Sequence, residues 1–301
     1  HPRVRRQRQM CIRDRQIALQ IRKEVQQKNE AFAAKYEMQP CLAVILVGNH
    51  PASLSYVQSK VKACKEVGME SRLIQLDAEV SEADLLKEIE KLNQDAYVDG
   101  ILVQLPLPQH IHEDTVVYAI DPNKDVDGFH PINIGKMMLG VDTFYPCTPH
   151  GVIKMLEAIS YDLCGKNVVV IGRSMIVGKP MAQLCLEQNA TVTVCHSKTK
   201  DLTFYTKHAD VIIVAVGKPL FLTEDQVSPG AVVIDVGINR NAKGKLVGDV
   251  DTESVLKVAD YVTPVPGGVG PMTITMLLWN TIIAAERRVL AGTKNNHCFL
   301  G

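Results

Sequence analysis

No apolar run in this chain approaches the roughly 20 residues needed to cross a bilayer. The longest, such as Val211 to Val216, have strand length, so no membrane partner is expected. No secretory h-region is present either. The eight cysteines (Cys11, Cys41, Cys64, Cys147, Cys164, Cys185, Cys195, Cys298) contain no C-x-x-C pair and no Cys/His cluster at zinc spacing, and no metal site is expected. Several sit inside apolar runs, where a free thiol behaves as a small hydrophobe. A reducing cytoplasm is the natural compartment for such a chain. The triplet Asn189-Ala190-Thr191 fits a glycosylation site, but without export it has no meaning.

An excess of charge is also lacking: 33 basic side chains balance 33 acidic ones. The balance hides an asymmetry. Residues 1–15 carry six arginines and one acid, so the remainder holds 27 basic and 32 acidic side chains, about −5. A body of that sign repels a phosphate backbone, which excludes nucleic acid as the expected partner. The head has no serine and no clear apolar face, so it fits a mitochondrial presequence poorly. We read 1–15 as a disordered or foreign extension.

What is present is the composition of a globular protein, 46% hydrophobic and 22% charged. A length of 301 residues suits one large or two ordinary domains. Ile17, Ile21 and Val25 recur at helical spacing, and Cys41 to Val47 is a continuous apolar run, a strand covered on both faces. A helix follows from Pro51 to Gly68, then a strand over Arg72 to Leu76. Ser81 to Asp84 caps a helix carrying Leu85, Ile89 and Leu92, and Gly100 to Leu105 is a third strand. Residues 121–150, rich in Pro, Gly and Asp, read as a hinge. Strands at Asn167–Ile171, Thr191–Cys195, Val211–Val216 and Ala231–Val236, with a helix over Gly178–Gln188, make a second series. Thr263 to Pro271 reads as a loop and Met272 to Val289 as a long helix. The expected architecture is two α/β domains with a cleft between them. The first spans 16–148 and is completed by the helix 272–290; the second, 149–271, is a Rossmann-type domain.

That second domain opens with Gly172-Arg173-Ser174-Met175-Ile176-Val177-Gly178 between strand and helix. Glycines there let backbone N–H groups approach a phosphate. Two better-known motifs fail: Ser174 stands where a dinucleotide fingerprint has its second glycine, and Lys179 is followed by Pro180 where a P-loop has Ser or Thr. The next strand ends in Cys195-His196-Ser197-Lys198, without the acid that binds a free ribose hydroxyl in NAD sites. Arg173, Ser197 and Lys198 are either solvated loop residues or contacts to a ribose 2′-phosphate. Tyr56 and Lys60 are spaced i, i+4, one turn apart on a helix. Such a pair is commonly a surface pair; in an apolar site it can do acid–base work. Gln104 ends a buried strand, and its amide needs partners, structural or catalytic. Counting from Asn123, a calcium loop would need Glu at the position of Ile134, so calcium is not expected. Asp127 could instead pair with an amino-heterocycle edge, and His130 reads as a structural or surface histidine.

The stretches Tyr56 to Lys60, Val103 to Pro108, Lys124 to Gly128, Gly172 to Ser174, Val236 to Asn239 and Pro264 to Thr273 together resemble one family, in the right order. It is the bifunctional methylenetetrahydrofolate dehydrogenase/cyclohydrolase (FolD) family, and the resemblance runs from about Gln16 to about Arg288. It implies oxidation of 5,10-methylenetetrahydrofolate with NADP and hydrolysis of the methenyl product to 10-formyltetrahydrofolate. It implies catalytic roles for Lys60, Tyr56 and Gln104, and a pterin contact for Asp127. Tetrahydrofolate derivatives would also meet Val103, Leu105 and the loop Pro266, Gly267, Gly268, Val269 and Gly270. NADP would be lined by Gly172, Arg173, Ser174, Gly178, Ser197 and Ile238. A cytoplasmic homodimer linked to purine biosynthesis is further implied. Family members begin with a short strand that residues 1–15 do not match. The alternatives are a dehydrogenase without cyclohydrolase activity and a catalytically silent NADP-binding module.

Overall fold

The computed structural model describes the backbone of residues 2–241 and 243–297, and side chains within that range other than those of 2–16, 52 and 292–297. The chain runs α1 (Pro2–Tyr36), β1 (Cys41–Val47), α2 (Pro51–Glu66), β2 (Glu70–Leu76), α3 (Glu82–Gln94), β3 (Gly100–Val103), α4 (Glu113–Ala119) and α5 (Pro131–Met138). It continues with α6 (Cys147–Ala158), β4 (Asn167–Ile171), α7 (Gly178–Glu187), β5 (Thr191–Cys195), α8 (Leu202–Thr206), β6 (Val211–Val214) and β7 (Val232–Asp235). Short elements follow: β8 (Asn239–Arg240), β9 (Leu246–Val247), α9 (Thr252–Val255) and β10 (Tyr261–Val262), before α10 (Val269–His297). The chain divides into two compact units, 21–145 with 274–301, and 146–273 with 1–20.

In the first unit β1 lies between β2 and β3, all parallel. All seven β1 residues are buried, which is why its sequence is apolar without alternation. Edge strand β2 is partly exposed along its length. Ser81 caps α3 by accepting the N–H of Asp84 at 3.1 Å. That helix buries Leu85, Ile89 and Leu92 into one cluster with Ala43, Ile45 and Ile101. The part of α10 in this unit is tied down by polar bonds as well as by apolar packing. Asn280 donates to the carbonyls of Val126 and Tyr145, and Arg288 donates to the buried carboxylate of Asp99 at 2.6 Å.

The second unit holds a parallel sheet in the order β10-β7-β6-β4-β5. The chain leaves β4 for β5 on one side and returns to β6 on the other. That reversal is the switch point of a Rossmann-type sheet, beside which ligands bind at the C-terminal strand ends. The α/β class with a Rossmann-type second domain is the one the sequence led us to expect.

Two expectations differ. Residues 121–150, read as a hinge, contain α5 and the start of α6. Helix α5 is short and opens at Pro131, with His130 Nδ1 accepting from Ile132 N at 3.1 Å, so proline marks its first turn and not a break. The loop from Thr263 ends sooner than expected, because α10 begins at Val269; Val269 and Gly270 belong to its first turn. Helix α1 begins at Pro2, so the described backbone of the arginine-rich head is helical. The reading of 1–15 as a disordered or foreign extension falls on residues whose side chains lie outside the described ones.

Candidate active site

Helix α2 carries Tyr56 and Lys60 one turn apart, while Val57 and Cys64 on another stripe are buried. Tyr56 is 41% exposed. Strand β3 ends as Gln104 N donates to Ile45 O at 2.9 Å, and the side chain of Gln104 then turns to α2. Lys60 Nζ donates to Gln104 Oε1 at 3.0 Å, and Gln104 Nε2 donates to Leu105 O at 2.6 Å. Both ends of the amide are thus committed, and its orientation is fixed. The two residues stand 44 positions apart in sequence.

Asp127 sits on a loop built by another carboxylate. Asp125 is 1% exposed; its Oδ1 accepts from Gly128 N and Phe129 N, and its Oδ2 from His130 N and Asn133 Nδ2. Burial pushes the Asp125 carboxyl upward, against those donors. A parallel bridge joins Asp125 to Ile101 of β3. Asp127 and Gln104 therefore lie beyond that bridge in the same direction, at the C-terminal end of the sheet. In the sequence Asp125 is one residue of the stretch Lys124 to Gly128 with no role of its own; its partners show it supporting the loop that presents Asp127. Among the described residues no group of three or more His, Cys, Asp or Glu is arranged to hold a metal ion. Thiolate chemistry is disfavoured too: burial pushes Cys41 up to about 11, and Cys64 and Cys185 up to about 12.

The second unit supplies the other candidate residues. Gly172 has φ +126°, and a Cβ there would strike the carbonyl oxygen of Ala215. A Cβ on Gly178 would strike Gly172 O, so the two ends of the glycine turn pack against each other. Ser174 Oγ accepts from Val177 N at 3.2 Å and Gly178 N at 3.3 Å, which leaves its own proton to donate. Arg173 and Ser174 are exposed, as are Ser197 and Lys198 past β5. His196 shapes that second turn, accepting from Lys198 N at 3.1 Å. Ile238, after β7, is 46% exposed. Pro266 is exposed and Gly268 and Val269 are buried, in the same unit as the glycine turn.

Residues 12–127 match the catalytic domain of the tetrahydrofolate dehydrogenase/cyclohydrolase family, and residues 146–289 match its NAD(P)-binding domain. This chain belongs to the tetrahydrofolate dehydrogenase/cyclohydrolase family. It is 59% identical over 271 residues to the bifunctional protein FolD of Polaromonas naphthalenivorans, covering 90% of this chain and 96% of the relative. The crystal structure of the FolD dehydrogenase/cyclohydrolase from Campylobacter jejuni is similar, with TM-score 0.89 and 53% identity, covering 92% of this chain and 98% of that one. The Trypanosoma brucei FolD, complexed with NADP cofactor and inhibitor, superposes with TM-score 0.88 at 36% identity over 92% of this chain and 97% of that one. The family assignment carries the dehydrogenase and cyclohydrolase activities on tetrahydrofolates that the sequence implied.

In this dehydrogenase/cyclohydrolase the glycine turn fits a dinucleotide. The cradle at Gly172 is one that a Cβ would fill, it sits at the start of α7, and it lies at the switch point of the sheet. Ser174 departs from the usual fingerprint without blocking the turn, because its hydroxyl caps the helix instead of obstructing it.

Proposed function

We propose that Lys60 is the central catalytic residue of this dehydrogenase/cyclohydrolase and moves the proton in the hydrolytic step, with Gln104 holding its ammonium and Tyr56 beside it. In the first reaction 5,10-methylenetetrahydrofolate gives up a hydride and becomes the 5,10-methenyl cation. NADP, when bound, supplies the hydride acceptor. In the second, water bonds to the methenyl carbon and loses one proton. The bond from that carbon to N5 then breaks as the new hydroxyl gives up its remaining proton and becomes the formyl carbonyl, N5 takes a proton, and 10-formyltetrahydrofolate results. A positioned base and acid is what such a step requires. The observation that carries the assignment is the Lys60–Gln104 bond at 3.0 Å. It aims an ammonium with an amide whose other end is already held by Leu105 O.

Asp127 would accept from the amino edge of the pterin, with Val103, Leu105 and Pro266 to Gly270 bordering the folate. Gly172, Arg173, Ser174, Gly178, Ser197 and Ile238 would hold NADP. The guanidinium of Arg173 with Ser197 and Lys198 suits a 2′-phosphate, whose geometry favours arginine. We also read the chain as a cytoplasmic homodimer whose product serves purine biosynthesis, with domains at 16–148 plus 272–290 and at 149–271. Support for self-association is the edge strand β5, where Val194 is 39% exposed, with Phe204 (60%) and Tyr205 (38%) exposed on α8, since a sheet edge with apolar neighbours is a template for pairing.

The test is a spectrophotometric assay with methylenetetrahydrofolate and NADP that follows NADPH and the methenyl intermediate separately. Lys60→Met keeps most of the apolar stem and removes the ammonium. It should fold and lose methenyl hydrolysis by about 10²-fold or more. Unchanged formation of the formyl product would remove Lys60 from the mechanism. NADPH formation without hydrolysis in the unsubstituted chain would favour a dehydrogenase alone.

A further inference from the structure

Two carboxylates unused by the chemistry above lie at the C-terminal ends of β6 and β7. Asp235, the last residue of β7, is 1% exposed, and Asp249, two residues after β9, is 0% exposed. Asp235 Oδ1 accepts from Gly237 N and Asp249 N, each at 2.9 Å, and its Oδ2 accepts from Val250 N at 2.9 Å. Asp249 Oδ2 accepts from Val216 N at 2.6 Å and Gly217 N at 2.9 Å, and its Oδ1 from Asn239 Nδ2 at 2.8 Å. Glycine lets the chain close on both groups. A Cβ on Gly237 would strike the Asp249 carboxylate, and one on Gly248 would strike that of Asp235.

These bonds join the segments after β6, β7 and β9. Two of them bracket Ile238: Gly237 is held by Asp235, and Asn239 by Asp249. Taking carboxylates out of water is costly. Apolar packing could close the same loops, but it has no direction, whereas each backbone N–H bond fixes the plane of the peptide that donates it, and the Asn239 bond holds that residue by its side-chain amide. The anchored peptides stand at the C-terminal edge of the parallel sheet, where open α/β folds bind their ligands.

We propose that Asp249 and Asp235 are positioning residues for the cofactor: they fix the peptides around Ile238 and at Val216–Gly217 so that NADP meets a preset surface. Both carboxylates are too buried to touch the cofactor, and their effect passes through the backbone they hold. The proposal rests on the reading of Ile238 as a cofactor-lining residue, and the experiment separates the two.

The full chain is assayed as Asp249→Asn, Asn239→Ala and Ile238→Ala. KM is measured for NADP and for methylenetetrahydrofolate, and methenyl hydrolysis is measured without NADP. Asp249→Asn turns an acceptor into a donor facing N–H groups. It should raise the KM for NADP about tenfold and the KM for the folate by less than about twofold. The ratio of dehydrogenase to hydrolysis rate at fixed, subsaturating NADP should fall accordingly. Asn239→Ala removes one partner at the outer side of the pair and should raise the KM for NADP by about three- to fivefold. If Asp249→Asn does not fold, Asn239→Ala carries the decision. A KM for NADP that stays unchanged, or a folate KM that rises in equal proportion, overturns the positioning role, since general loosening would affect both ligands. Should Ile238→Ala raise the KM for NADP while the other two do not, the positioning role alone falls. If Ile238→Ala has no effect, the reading of Ile238 falls, and a rise in the other two would then act through Val216 and Gly217.

Discussion

Replacing Asp235 by asparagine removes a proton site whose affinity the fold has changed, and linkage turns that change into a slope of stability against pH. Burial raises the carboxyl from 3.8 to about 7, aided by the neighbouring Asp249 charge and opposed by the N–H groups of Val250, Asp249 and Gly237. The folded state therefore holds this proton more tightly than the unfolded chain does. The stabilisation from that proton is fully present below the unfolded value and is lost as pH rises through about 7. At roughly 1.4 kcal/mol per pH unit between the two values, the unsubstituted chain should lose about 2.5 kcal/mol relative to Asp235→Asn from about pH 5 to about pH 8. His150 acts with the opposite sign: burial lowers it from 6.5 to about 4, so its contribution is present above 6.5 and lost as pH falls toward 4. Subtracting the variant from the parent at each pH removes His150 and every other shared group. Urea unfolding followed by circular dichroism at four pH values gives the difference directly. A difference that stays flat, or that moves in the parent's favour as pH rises, would refute the reasoning.

Asp127→Asn should raise the KM for methylenetetrahydrofolate about fivefold or more while leaving that for NADP nearly unchanged; equal changes for both ligands would make Asp127 a loop residue only. Arg173→Ala should weaken NADP use about tenfold and narrow its advantage over NAD, measured as kcat/KM with each cofactor, with and without phosphate and magnesium. An untouched preference would remove the stated cause. Asp99→Ala takes away the acceptor of Cys41 N and of Arg288 Nε. Discounted for the 30% exposure of Arg288, the loss should be roughly 2–3 kcal/mol in urea unfolding, and less than about 1 kcal/mol would show that the pair does not hold α10.

Local order was readable wherever one stretch of sequence carries its own signal. The runs Cys41–Val47 and Asn167–Ile171 form strands with those boundaries, because fully or largely covered parallel strands need apolar residues without interruption; Thr191–Cys195, a partly exposed edge strand, also has the expected boundaries. Ser81 announced α3 because a cap and the donor it satisfies lie three residues apart. The family, and with it Lys60, Gln104 and Asp127, was legible from short motifs in order. Other features depended on partners far away in the chain. Helix α5 was hidden because proline and glycine mark turns as readily as helix ends. The hydrogen bond between Gln104 and Lys60, 44 residues apart, is set by the packing of α2 against the end of β3 and not by either local sequence. Asp125, Asp235 and Asp249 carried no signal as loop builders, since an acid in a Gly/Pro-rich stretch looks the same whether solvated or buried. Residue type and spacing set which groups the chain can offer. Only the tertiary fold decides which peptide N–H groups converge on a carboxylate, because those donors belong to backbone and are the same in every sequence.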